Sequence, residues 1–371
     1  MSILSKVKSF LPASSRSLHA MYHELGQMHG QMGQMWAEVG LTRIWVSELK
    51  QSLADLDSRL MLTFWEGYRR EGETSEQAHE RFFTTMGSAR GGLRVYQLAS
   101  AQLLAEFDSF CERHGLQYAV VSGTILGAVR HEGFIPWDDD LDVGMPRADV
   151  ESAIELVKDE PRYRITVVYD RCMLCKQVRF CYADETVPCF VDLFYYDLTK
   201  ANDARTFEVR EAERELLKAE LAADEALASW DEKTNNFVDA DTPLGHAIAR
   251  HFDEAVERLY APDGPYTYDV DAAAGVILGV DNLDALVDHH DWYQVAREDI
   301  LPLQKVPFEG HMVSAPVNAR KCAEVHYGDL YVLPHDIGLH FDHFSHEMLK
   351  DDRTNAALTE LAGDGPRPEA Q

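Results

Sequence analysis

Stepping three and then four residues from Leu18 visits Met21, Leu25, Met28, Met32, Met35, Val39, Thr42, Val46, Leu49, Leu53, Leu56 and Leu60. Thr42 alone interrupts this seam. Heptad register held over six repeats predicts a long N-terminal helix forming a coiled coil within residues 1–66. Gly26, Gly30, Gly33 and Gly40 weaken the first half, since each costs about 1 kcal/mol against alanine inside a helix. The firmer part is Val46 to Leu60. The alternative is an amphipathic helix lying on the chain's own core. Nearer the start, Ile3, Leu4, Val7, Phe10 and Leu11 share a helical face beside Lys6 and Lys8. That face suits either weak contact with a membrane surface or a frayed terminus. Residues 67–92 turn polar and end in Ser-Ala-Arg-Gly-Gly, the pattern of a linker.

From residue 93 the pattern changes. Leu93, Tyr96, Leu98, Leu103, Leu104, Phe107 and Phe110 predict an amphipathic helix closed by Gly115. Short strands near 118–121 and 141–143 and β-forming runs at 163–168, 177–182 and 189–195 alternate with helices ending near Arg130 and spanning 150–157. This predicts an α+β core over 93–200, with a small mixed sheet and flanking helices. Residues 201–262 read as a helical insertion: 203–229 are rich in Ala and Glu, and Thr242-Pro243 starts a second helix. Mixed structure resumes over 263–345, with strands near 276–280 and 303–308. Residues 346–371 read as a tail whose last nine residues have nothing to pack and are expected to be disordered.

Charge narrows the function classes. With 35 Lys and Arg against 63 Asp and Glu, the net charge is −28. Nucleic-acid binding depends on basic side chains displacing counterions from phosphates, so a nucleic-acid partner is excluded. No apolar run approaches the roughly 20 residues that span a bilayer, and the start lacks a secretory signal pattern. Six cysteines in 371 residues do not describe a disulfide scaffold. The expected location is the cytoplasm, with peripheral membrane contact left open.

The chemistry concentrates between Ser122 and Arg147. Asp138, Asp139, Asp140 and Asp142 fall within five residues at the mouth of an apolar strand. In extended chain, residues two apart point the same way, so Asp138, Asp140 and Asp142 converge while Asp139 faces away. Converging carboxylates need a counter-charge, and all-oxygen ligation favours Mg2+ or Mn2+. A solvated acidic loop is the plain alternative, but Pro136-Trp137 and the apolar strand start argue for a shaped site. Upstream, Gly123-Thr124 sits between a strand and a helix, where backbone N–H groups can receive a phosphate. Arg130, His131 and Arg147 add positive charge, though each is equally readable as a surface residue. Asp192 interrupts a β-forming run, where a buried charge is costly unless paired or bound to metal. Asp197, at the strand end, reads as a turn or capping residue.

Two further clusters stand apart. Cys172, Cys175, Cys181 and Cys189 fall in an 18-residue window and suit either structural zinc or simple burial. His335, His340, His343 and His346 include a spacing of three that allows one helical face, and read as a partly solvated terminal helix.

The run Gly123-Thr124-Ile125-Leu126-Gly127-Ala128-Val129-Arg130-His131, followed by Gly133-Phe134-Ile135-Pro136-Trp137-Asp138-Asp139-Asp140-Leu141-Asp142, resembles the LicD family, which includes fukutin and fukutin-related protein. Val191-Asp192-Leu193-Phe194-Tyr195-Tyr196-Asp197 is similar to that family's later acidic strand, with Tyr195 in place of proline. Pro307-Phe308-Glu309-Gly310 and Tyr327-Gly328-Asp329 resemble its C-terminal elements, so the resemblance covers roughly residues 93–335. It implies a nucleotidyltransferase fold of the DNA polymerase β type. The implied reaction moves phosphocholine or a polyol phosphate from a CDP-activated donor to a glycan hydroxyl, releasing CMP. Asp138, Asp140, Asp142 and Asp192 would hold the metal, with Asp140, Asp142 and Asp192 catalytic. Gly123, Thr124, Arg130, His131, Trp137 and Arg179 would bind substrate; Arg179 matches the family's Lys-X-Arg, whose lysine is displaced here to Lys176. Expected partners are the CDP donor, a glycan or lipid-linked acceptor, and further copies of the chain through the coiled coil. The rival readings are a nucleotidyltransferase that releases pyrophosphate, and a non-catalytic coiled-coil scaffold.

Overall fold

A computed structural model describes residues 41–53, 55–56, 58–282, 294–333 and 343–363. The chain divides into two compact units, Met1–Ala78 and His79–Gln371. In the first, the described residues of 41–68 are helical and form helix α1. Its seam residues Val46, Leu49, Leu53, Leu56 and Leu60 are exposed, and Trp45 beside them is 65 % accessible. The seam upstream of residue 41 and the apolar face at 3–11 lie outside the described residues.

The stretch expected to be a linker carries a helix, α2 (Ser75–Thr84). Its start is a capping box. The Gln77 amide donates to Thr74 Oγ1 at 3.2 Å and the Thr74 amide donates to Gln77 Oε1 at 3.0 Å.

In the second unit, α3 (Gly91–His114) ends where Gly115 takes a left-handed conformation, φ 70°, as its position predicts. The strands follow as β1 (Ala119–Val120), β2 (Asp142–Pro146), β3 (Tyr163–Asp170), β4 (Cys175–Tyr182), β5 (Phe190–Thr199), β6 (Phe237–Asp239), β7 (Gly275–Leu278) and β8 (Gln294–Ala296). They form one mixed sheet in the order β1-β2-β5-β4-β3-β6, with β7 joining the far end of β5 and β8 beyond it. β2 and β5 are parallel, and the other pairings are antiparallel. A separate hairpin joins β9 (Gln304–Phe308) and β10 (His311–Ala315).

Helices α4 (Ser122–His131), α5 (Arg147–Leu156), α6 (Ala204–Ala223), α7 (Pro243–Leu259), α8 (Arg297–Ile300), α9 (Ala319–Tyr327) and α10 (Asp352–Ala362) complete the unit. Leu103, Leu104, Phe107 and Phe110 of α3 pack with Val143, Phe180 and Val191 of the sheet. A second core joins Leu217 of α6 and Ile248 and Phe252 of α7 to Ile277 of β7. Arg210 and Arg214 of α6 are fully buried and donate to the carbonyls of Leu278 and Val280. The helical insertion is therefore built into the fold. The tail is also ordered in part: α10 buries Leu358 and is capped by Asp351. Residues 364–371 lie outside the described residues.

Candidate active site

Parallel pairing of β2 with β5 puts Asp142 opposite Asp192 in register. Asp140 and Asp138 precede β2 in the loop that leads into it. The Asp142 carboxyl is pushed well above its ordinary value, first by loss of water around it and then by the negative charge of Asp140, Asp192 and Asp138. These four carboxylates are one electrostatic cluster. The Asp192 carboxylate accepts from Arg179 Nε at 2.8 Å and Nη2 at 3.3 Å, so Arg179 is a cation fixed at the cluster.

The loop is held from several sides. Asp142 N–H donates to Thr124 Oγ1 at 2.8 Å, which ties the start of β2 to α4. Gln97 of α3, fully buried, donates to the carbonyls of Asp138 at 2.8 Å and Ile135 at 3.3 Å. Glu309, in the β9–β10 turn, accepts the Phe134 amide at 3.0 Å and pairs through both oxygens with Arg94 at 2.8 and 2.6 Å. A Cβ on Gly123 would stand 2.7 Å from Asp138 Oδ2, so any larger residue there would have to displace that carboxylate.

This pair of carboxylate-bearing strands beside a helix start coincides with what the comparisons find. Residues 115–218 match the LicD/FKTN/FKRP nucleotidyltransferase domain. The lipopolysaccharide cholinephosphotransferase LicD of Haemophilus influenzae is 32 % identical over 117 residues, which is 28 % of this chain and 44 % of that protein. An uncharacterized protein of Rickettsia prowazekii is 36 % identical over 81 residues, covering 22 % of this chain and 30 % of its own. One from Rickettsia typhi is 35 % identical over 77 residues, covering 19 % and 24 %. The matches thus span less than half the length of these relatives.

Within residues 115–218, not every expected site residue reaches the acidic cluster. Arg130 is buried, and its Nη1 donates to Leu330 O at 2.7 Å while its guanidinium lies 4.7 Å from the Phe83 ring. It ties α4 to the end of α9. His131 accepts from Arg130 Nε at 2.9 Å, and burial together with that guanidinium pushes its imidazole down to about 4. At neutral pH it is uncharged. Trp137 packs partly buried against the main core. Arg147 is committed to Asp197 and Asp281. Asp197 is fully buried, a charge partner where the sequence suggested a turn residue.

Asp139 has partners distant in the chain. Its Oδ2 accepts the backbone amides of His343 at 2.8 Å and Phe344 at 2.6 Å. Residues 343–345 are not helical, which corrects the helical face expected for the histidines. His335 and His340 lie outside the described residues. Sequence reasoning gave no site role to Gln97, Arg94, Glu309 or His343. Glu309 carried a signal, since it stands in the Pro-Phe-Glu-Gly element.

Among the described residues, no group of three or more His, Cys, Asp or Glu is arranged to hold a metal. For the cysteines this is decisive geometry. Cys175 and Cys181 sit six residues apart on β4, about 20 Å at ~3.3 Å per residue. The expected four-thiol zinc site with Cys172 and Cys189 does not fit, and burial explains Cys175, Cys181 and Cys189. For the carboxylates, Mg2+ and Mn2+ ask less of the protein, because Mg2+ commonly takes one or two carboxylates and completes its shell with water and substrate phosphate. An all-oxygen donor set whose mutual repulsion and dehydration raise Asp142 has the right chemistry for such a cation.

The loop clamp makes a stability prediction. Glu309→Ala strands the mostly buried Arg94 and removes the acceptor of the Phe134 amide. It is expected to cost about 3 kcal/mol in urea unfolding, where a surface pair would cost under about 1 kcal/mol.

Proposed function

We propose that the chain transfers a phospho-alcohol, phosphocholine or a polyol phosphate, from a CDP-activated donor to a hydroxyl of a cell-surface glycan or its lipid-linked precursor. The single observation that carries this reading is the cluster of Asp138, Asp140, Asp142 and Asp192 at the adjoining starts of β2 and β5, inside the stretch that matches the LicD family. Its likeness to the Haemophilus influenzae cholinephosphotransferase favours phosphocholine among the alcohols. The helix start at α4 followed by parallel acidic strands supports a nucleotidyltransferase fold of the DNA polymerase β type.

In this reading the acceptor oxygen bonds to the phosphorus bearing the alcohol, the bond from that phosphorus to the CMP oxygen breaks, and CMP leaves. Mg2+ or Mn2+ would be bound among Asp140, Asp142 and Asp192, with one or two of them as direct ligands and Asp138 beside them, and would neutralise charge on the attacking and departing oxygens. Asp140 or Asp192 takes the acceptor proton. Backbone N–H groups at the start of α4, around Gly123, face phosphate. Arg179 holds Asp192 in place and stays near the donor.

The test is product identity with CDP-choline, CDP-ribitol and CDP-glycerol in the presence of Mg2+. CMP release that depends on acceptor supports the reading. Pyrophosphate release from CTP would replace it with nucleotidyl transfer, and no turnover or CDP binding would leave a scaffold. Gly123→Ala pushes a methyl onto Asp138 and is expected to slow CMP release about 10- to 100-fold. A rate within twofold of the parent would count against close approach of α4 to the acidic loop.

The exposed seam of α1 also calls for an occupant, because monomeric proteins rarely expose contiguous apolar surface of this kind. The occupant proposed is the same seam of another copy, joined as a coiled coil. Removing residues 1–66 should then lower the mass measured by light scattering. An unchanged mass would sink this idea. Among the described residues no helix is long and apolar enough to cross a membrane.

A further inference from the structure

We propose that His343 is a substrate-phosphate contact of the acidic site and that Asp139 is the positioning residue that seats it. The inference rests on the phosphoryl-transfer reading above. Asp139 is only 3 % exposed. A carboxylate so placed must be compensated, and the amides of His343 and Phe344 supply two charge-assisted bonds to one oxygen. A segment some 200 positions later in the chain is thereby pinned to the loop that carries Asp138 and Asp140.

The rest of the segment is fitted as closely. The Phe344 ring lies 5.5 Å from the ring of buried Tyr96 on α3. A Cβ on Gly92 would stand 2.3 Å from Leu349 and 3.0 Å from Phe344, so α3 is cut away to receive them. With its backbone fixed, the His343 ring meets the Phe190 ring edge-on at 5.1 Å. The Arg179 guanidinium covers that same Phe190 ring at 3.8 Å. His343 Nε2 stands 3.7 Å from Asp140 Oδ2, and the side chain keeps 26 % of its surface accessible. It is built into the site and still open to a ligand.

The class of ligand follows from what the other cations do. Arg130 is spent on the carbonyl of Leu330, Arg179 on Asp192, and Arg147 on Asp197 and Asp281. His131 faces Arg130. A diphosphate entering a cluster of carboxylates needs N–H donors beyond those already hydrogen-bonded to protein oxygens. The imidazole of His343 provides one beside Asp140, near enough at 3.7 Å to feel its charge but outside hydrogen-bond distance.

The full-length protein decides this by calorimetric titration with pyrophosphate, CDP and cytidine, each in Mg2+. His343→Ala should weaken pyrophosphate and CDP about tenfold, the worth of one hydrogen bond to a charged oxygen. Cytidine binding, which needs no phosphate contact, should stay unchanged, and His343→Gln should restore most of the loss through its amide donor. Asp139→Ala should reproduce the His343→Ala affinities, and the double variant should be no worse than either. Parent-like pyrophosphate binding by His343→Ala overturns the proposal. Parent-like binding by folded Asp139→Ala overturns its positioning half; if Asp139→Ala does not fold, the Ala and Gln variants of His343 decide the contact. A parent protein that binds pyrophosphate through His343 but ignores CDP would sink the donor reading and leave this one standing. Failure to bind either would sink both.

Discussion

Asp140→Asn, Asp142→Asn and Asp192→Asn should each lower Mg2+-dependent CMP release about a thousandfold or more, while circular dichroism stays that of the parent. Several kcal/mol of transition-state charge stabilisation depend on the cation these carboxylates would hold, and each 1.4 kcal/mol is tenfold in rate. Asparagine keeps the volume and removes the charge. For Asp142 the stability effect has a definite sign. Its folded carboxyl sits above the ordinary 3.8, raised by dehydration and by Asp140, Asp192 and Asp138. The native state therefore binds more protons than the unfolded state above that pH, and stability falls as pH rises through the interval between the two values. Metal-free Asp142→Asn lacks this penalty. At neutral pH it should melt above the parent, and the gap should close as pH is lowered towards the ordinary value. Thermal unfolding in EDTA from about pH 4 to pH 8 reads this directly. A variant less stable than the parent at every pH would mean that Asp142 is stabilised by contacts its neighbours do not explain. Asp138→Asn should slow turnover less, since of the three neighbouring carboxylates it acts least on Asp142.

Much of this site was legible because its signals are local. Gly123, the four aspartates and Asp192 announce themselves by type and spacing, and β2 and β5 fall where apolar β-forming runs predict strands. Alternation along an extended strand, expected to bring Asp138 and Asp140 to the side of Asp142, does not apply here. β2 begins at Asp142, and the Asp138 amide closes a turn onto Ile135 O at 3.0 Å. Asp138 and Asp140 approach Asp142 through loop geometry and not through the pleat of a strand. What stayed hidden depends on distant chain. Nothing near Asp139 tells that its partners are amides at 343 and 344, because backbone donors leave no residue-type signature. Arg130 reads as positive charge near the site and, by resemblance, as substrate-binding, yet a carbonyl it donates to sits 200 residues away. The α2 start was readable as Thr74-Ser75-Glu76-Gln77 and was outweighed by the polarity around it.

The largest stability effect belongs to Arg147, at the start of α5. Its guanidinium donates to both oxygens of Asp197, each at 2.7 Å, and to Asp281 at 2.7 and 2.9 Å. Tyr260 OH adds a bond to Asp197 Oδ1 at 2.7 Å, and the guanidinium lies 4.6 Å from the Tyr195 ring. The network fastens α5 to β5, to the end of α7 and to the turn after β7. A Cβ on Gly279 would fall 2.6 Å from Asp281 and 2.8 Å from Arg147, so the turn is shaped around the pair. Arg147→Met leaves two carboxylates with no surface of their own and should cost about 3–5 kcal/mol in urea unfolding. Adding Asp197→Asn and Asp281→Asn to that variant should recover much of the loss, because it is the stranded charge that is expensive. Acid adds a second reading. Burial alone would raise the Asp281 carboxyl, but Arg147 holds it below the ordinary 3.8. Its contribution is present above that pH and is lost as pH falls through the lower folded value. Asp281→Asn should therefore be less stable than the parent at neutral pH, with the difference shrinking only in strong acid. If the gap instead opened as pH fell, Asp281 would be protonated in the native protein, and the paired assignment would be wrong.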